Sequence, residues 1–142
     1  MADEVSDQIQ DFNAKIIAEF RANDGQVGPP FEGAPLLLLH STGAKSGAER
    51  VHPVVYQSVD LGWAIFASKA GAPTHPAWYH NLVAHPDASI EVGADTVDVR
   101  ARVAEGDERD QLWSRQKELM PGFADYEAAT TRTIPVVVLE PT

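Results

Sequence analysis

Residues 36–68 read LLLLHSTGAKSGAERVHPVVYQSVDLGWAIFAS, and the fold turns on them. Residues 36–40 form a short continuous apolar run, consistent with a strand buried on both faces. STGAKSGAER, residues 41–50, is a turn with two glycines, and residues 51–58 are β-rich. Pro53 removes a ladder donor from that second run, which predicts an edge or a bulge. Asp60-Leu61-Gly62 turns the chain again, and residues 63–68 form the next strand. Three strands joined this closely make an antiparallel meander.

Outward from this meander the chain is mostly helical before it and mixed after it. Val5, Ile9, Phe12, Ile16 and Phe20 recur at helical spacing, with Asp3, Asp7, Asp11, Lys15 and Glu19 opposite. They predict an amphipathic helix over about residues 5–22 that covers the sheet, stopped around Asn23-Asp24-Gly25. The Gly- and Pro-rich residues 25–35 are a connector. After the meander, Pro76 opens a short helix to residue 84. Residues 89–92 and 96–104 flank the turn Gly93-Ala94-Asp95 as a hairpin, with Val97, Val99, Ala101 and Val103 on its buried face. Residues 107–120 are helical, with acids in the first turn and cations near the end. Residues 123–130 form a short helix, and residues 133–139 a last apolar strand. This order does not alternate as βαβ units do. It predicts one α+β domain over residues 1–142, a mainly antiparallel sheet or barrel with peripheral helices.

Composition narrows the function. The 142 residues carry a net charge of −10 and no cysteine. Thiolate nucleophiles, disulfides and Cys-held metals are thereby excluded. The acidic balance excludes a general nucleic-acid binder. No apolar run approaches the roughly 20 residues of a membrane span, and the acidic first dozen residues have no signal-peptide pattern, so a cytoplasmic protein is expected. The charge is uneven. Residues 33–86 hold three basic side chains (Lys45, Arg50, Lys69), two acidic ones and all five histidines; the remainder holds eight basic and nineteen acidic.

That nearly neutral centre contains the candidate chemistry. GAKSG lacks the Gly before Lys that a nucleotide phosphate loop needs, and no G-x-S-x-G elbow exists. His75, His80 and His85 recur every five residues, the wrong spacing for metal ligands on one helix face, so no metal is expected. The STGAKSG loop with Arg50 and Lys69 is suited to an anion, through backbone N–H groups and cations. Taken alone, the same loop fits a hairpin turn bearing ordinary surface cations. Trp78 and Tyr79 after SKAG suit a wall for a planar ligand, or a plain anchor of the helix on the barrel.

LLLLHSTGAKSGAERVHPVVY, FASKAGAPTHPAWYHNLVAHP and DYEAATTRTIPVVVLEP together resemble the deazaflavin-dependent nitroreductase family, of the type that reduces quinones and enones. The resemblance spans about residues 5–142. It implies a split β-barrel, like those that bind flavin mononucleotide, and the reduced 8-hydroxy-5-deazaflavin coenzyme F420 as hydride donor. It implies that Ala44, Lys45, Ser46 and Arg50 meet the coenzyme phosphate. Val51, His52, Pro53, Val54, Val55, Phe66, Ala67, Ser68 and Lys69 would line its groove, and Ala77, Trp78, Tyr79, His80 and Asn81 would close it. Ser68 and Tyr126 are the candidate catalytic contacts, and Trp78, Met120, Phe123 and Tyr126 the substrate pocket. The implied substrate is a small electrophile, a quinone or a conjugated enone or lactone. A lipid quinone would add peripheral contact with a membrane. Three departures stand out. Ala44 replaces a common Arg and His40 a common Thr, and Tyr126 is alone where nitro-reducing members carry several tyrosines. Nitro compounds are therefore disfavoured. Two rivals remain: a carrier of the coenzyme without turnover, and a split barrel binding flavin mononucleotide or haem.

Overall fold

All four leucines of β1 (Leu36–Thr42) are buried, because the strand is covered on both faces. Leu37 and Leu39 point into a barrel with Ile65, Ile90, Val99, Val137 and Leu139. Leu36 and Leu38 face outward beneath Ile16 and Phe20 of α1 (Ala2–Ala22). Strand alternation makes such a run apolar throughout only when both faces are sealed. The computed structural model describes residues 2–28 and 34–142, with side chains in α1 from Phe12 onward. The predicted roles of Val5 and Ile9, and of residues 29–33 in the connector, lie outside the described set.

The other strands are β2 (Glu49–Val59), β3 (Gly62–Phe66), β4 (Asp87–Val92), β5 (Asp95–Val103) and β6 (Val136–Pro141). They close in the order β1-β2-β3-β6-β5-β4, and every pairing is antiparallel. The expected α+β barrel is therefore present. Helix α2 (Ala77–Ala84) sends Trp78 and Leu82 into the barrel core. Helices α3 (Gly106–Leu119) and α4 (Gly122–Ala128) cover the outer side of β3 and β6, where Trp113 and Phe123 pack on Phe66.

Two details depart from expectation. The last strand starts at Val136 rather than residue 133, since Pro135 has no N–H to enter the ladder. Val103 falls on the predicted buried face yet is 39% exposed, at the final position of its strand.

Pro53 sits where a missing donor does no harm. Tyr56 N–H donates to Pro35 O at 3.0 Å, and the β1–β2 register is unbroken from Val55 to Glu49. Alternation then turns the backbone of Val51 and Pro53 away from β1. The pairing of β2 with β3 begins only at Tyr56, so that side of residues 49–54 has no strand beside it. The predicted edge is thus half a strand long, inside an otherwise closed barrel.

An ionic clamp ties α1 to the barrel. Arg21 holds both carboxylate oxygens of Glu91 at 2.7 and 3.1 Å. His40 joins Glu91 at 2.6 Å and Glu49 at 2.9 Å through its two ring nitrogens. Arg21 foremost, then His40, holds the Glu91 carboxyl down at about 2.

Candidate functional site

The β1–β2 loop is drawn tight by its own backbone. Gly43 N–H donates to Ala48 O at 2.7 Å and Gly47 N–H to Gly43 O at 2.9 Å. Gly47 occupies the left-handed region at φ +70°, where glycine is unstrained. Ser46 Oγ accepts from Ala48 N–H at 3.2 Å. Asn81 then fastens the loop to α2. Its buried Oδ1 accepts from Ala44 N–H at 2.9 Å, and its Nδ2 donates to Ser41 Oγ at 3.2 Å. Amide donors and acceptors are both used, so the staple has little slack.

A cleft of about 550 Å³ results, lined by Gly43, Ala44, Lys45, Ser46, Arg50 and His52 from the hairpin and Ala77, His80 and Asn81 from α2. None of these residues is acidic. His52 shares the inward parity of Val54 and Tyr56, and its Nδ1 is buried with no hydrogen-bond partner among the described residues. Burial, and then the charge of Arg50, push its imidazole below the usual histidine range.

A second group gathers at the end of β3. Ser68 is buried, and Lys69 starts a short 3-10 turn, Lys69–Gly71, at φ +48°. Gly71 allows this turn to lie on α4, because a Cβ there would meet Tyr126 O and Ala129 Cβ at 2.9 Å each. Tyr126 is half-buried against Phe123, ring centres 5.1 Å apart, and Met120 packs in the same outer cluster.

The structure thus brings Ala44, Lys45, Ser46, Arg50, His52, Ala77, His80 and Asn81 to one cleft. It places Met120, Phe123 and Tyr126 together beside Phe66. Trp78 does not join that cluster; it is buried in the barrel core with Ala67 and Val137. Tyr79 turns toward His75, ring centres 4.8 Å apart. Val51 and Val55 lie on the outer side of β2 under α1.

Arg132 carries no predicted role, yet it gathers four acceptors. Its guanidinium donates to Ala67 O (3.1 Å), Ser68 O (2.8 Å), Ala72 O (2.9 Å) and His75 Nδ1 (2.9 Å). The available signal was its place in ATTRTIP as the one cation after Lys117.

The model of the family described as F420H(2)-dependent quinone reductase matches residues 14–141. The chain belongs to that family. An F420H(2)-dependent quinone reductase of Mycobacterium tuberculosis (strain ATCC 25618 / H37Rv) is 40% identical over 126 residues, 86% of this chain and 85% of that protein. A solved F420-H2 dependent reductase, FDR-A, superposes with a TM-score of 0.68 at 40% identity, covering 75% of this chain and 94% of the other. A chain solved as a domain-swapped dimer gives 0.70 at 36% identity, with 98% of both chains covered. The enzyme is an F420H(2)-dependent reductase of the quinone reductase family, and its cofactor is reduced coenzyme F420.

The residues fit that group. The coenzyme carries a phosphate and an oligoglutamate tail, and the cleft offers two cations, the rings of His52 and His80 and no carboxylate. Among the described residues, no helix is long and apolar enough to cross a membrane.

Proposed function

We propose that this reductase acts on a quinone or a conjugated enone or lactone, and that its phosphate and tail subsite is the cleft between the β1–β2 loop and α2. The observation that carries the subsite is the gathering of Lys45, Arg50 and His52 in one carboxylate-free cleft beside a loop stapled by Asn81. When bound, the reduced coenzyme supplies the hydride from its ring carbon. Lys45, Arg50 and the N–H groups of residues 45 and 46 hold its anionic end, while the Ala44 N–H stays on Asn81. The free backbone side of Val51 and Pro53 and the segment Phe66, Ala67, Ser68, Lys69 flank the ring. Met120 and Phe123 exclude water from the acceptor, and the Ser68 and Tyr126 hydroxyls donate to the oxygen on which negative charge develops. A single tyrosine in this cluster supports carbonyl acceptors over nitro compounds. A lipid quinone as substrate places the protein transiently at a membrane surface.

The test is coenzyme oxidation by the purified protein with menadione, an unsaturated lactone and a nitroimidazole. Oxidation is expected with the first two and not the third. Binding without oxidation by any acceptor would make the protein a carrier and overturn the proposal.

A further inference from the structure

We infer that Arg132 is a positioning residue for the reductase, a fork that sets the Ser68–Lys69 segment against the coenzyme and substrate. This rests on the proposed placing of Ser68 and Lys69 in the site. The observation is independent of it. A guanidinium offers five N–H donors in a fixed plane, and Arg132 uses four of them on acceptors spread over residues 67–75. Ala67 O and Ser68 O belong to the chain as it leaves β3, and Ala72 O and His75 Nδ1 to the far side of the loop. One side chain therefore spans the loop and fixes both its ends.

The segment it spans needs such a restraint. Lys69 sits in the left-handed region, which a side chain rarely adopts without support. The loop's own backbone offers little: Gly71 N–H donates to Ser68 O and Ala72 N–H to Lys69 O, at 2.9 and 3.0 Å. Ser68 O thus accepts from both the turn and Arg132, so the guanidinium locks the carbonyl on which the turn is built.

Arg132 is also unusual in its charge. Among the described residues no carboxylate lies within ion-pair distance of it, and burial pulls its guanidinium below the ordinary range. Carbonyl acceptors leave its positive charge unneutralised beside the site. His75 accepts from Arg132 at Nδ1, which leaves its proton on Nε2 and presses the ring against Tyr79 and His80. The fork is thereby linked to α2, which carries the cleft residues Ala77, His80 and Asn81.

The test compares Arg132→Lys and Arg132→Gln with the native enzyme, together with Ser68→Ala and Lys69→Ala. Coenzyme affinity is read from coenzyme fluorescence, hydride transfer from single turnovers with menadione, and folding from thermal melting. Lysine keeps the charge but cannot bridge four spread acceptors. Arg132→Lys is therefore expected to remain folded and to lose about 100-fold in the single-turnover rate at saturating coenzyme. Added guanidinium ion is expected to restore part of the rate to Arg132→Gln while its melting temperature stays unchanged, which separates placement of the segment from folding. Native rates in Arg132→Lys, while Ser68→Ala or Lys69→Ala is impaired, would overturn the positioning role. If Ser68→Ala and Lys69→Ala both behave as native, the placing of that segment in the site is what fails.

Discussion

At the scale of single residues, the site is governed by groups whose partners are missing or doubled. Asn81 is doubled: one buried amide holds both the loop and β1. Asn81→Ala leaves Ala44 N–H and Ser41 Oγ without it and is expected to cost about 1–3 kcal/mol in urea unfolding, with weaker coenzyme binding. His52 is the opposite case. Burial first, and then Arg50, keep its imidazole below the usual range, so it is neutral at pH 7 in the free protein. An anionic ligand favours the charged imidazole, so binding takes up a proton and affinity must rise as pH falls. The coenzyme's phosphate and carboxylates stay ionised over this range. Coenzyme dissociation constants measured from about pH 8 down to about pH 5 should show this rise in the native protein and a flatter profile in His52→Asn. His80 lines the same cleft and is present in both, so the difference belongs to His52. Equal profiles would remove His52 from the anion site.

At the scale of elements, α1 shows how one clamp couples a helix to three strands. Glu91 on β4 joins Arg21 of α1 to His40 of β1, which reaches Glu49 of β2. The Glu91 carboxyl falls from 4.5 to about 2 on folding. A depressed carboxyl contributes stability that is complete above the unfolded value and is lost as pH falls through the folded one. The loss therefore runs between pH 4.5 and about 2, and Glu91→Gln should lack it. Arg21 is half-exposed, so screening discounts the contribution to about 1 kcal/mol. Urea midpoints across that window test it; parallel acid profiles for the two proteins would deny the clamp. The elements themselves were largely legible in sequence. Local chemistry decides them: the leucine run of β1, the Pro76 helix start, the Gly93-Ala94 turn and the edge signal of Pro53. Trp78 illustrates the limit, since an aromatic beside small residues suits a ligand wall and a core anchor equally, and only the packing against Leu37 and Val137 distinguishes them. Arg132 was illegible for a different reason. Its acceptors lie 57 to 65 residues away and three of them are backbone carbonyls, which leave no mark on residue type.

At the scale of the whole molecule, the −10 charge opposes the anionic coenzyme proposed for the cleft. Screening separates the two effects, because charges farther apart than about 8–10 Å interact little at physiological salt. Near the cleft, Lys45 and Arg50 attract a polyanion; beyond it, the acidic flanks repel one. In the native protein the local cations should dominate the final approach, so the association rate of the coenzyme falls as salt is raised. Lys45→Ala combined with Arg50→Ala removes that attraction and makes the net charge −12 by subtraction from −10. Repulsion by the acidic flanks then outweighs the attraction left at Lys69 and Arg132, and the association rate should rise with salt. The loss of affinity, about tenfold or more for two charge-assisted contacts, should grow with the length of the glutamate tail. Stopped-flow fluorescence across a salt series reads the sign directly. A rate that still falls with salt in the double variant would mean that the steering cations lie elsewhere, with Lys69 and Arg132 the next to be replaced.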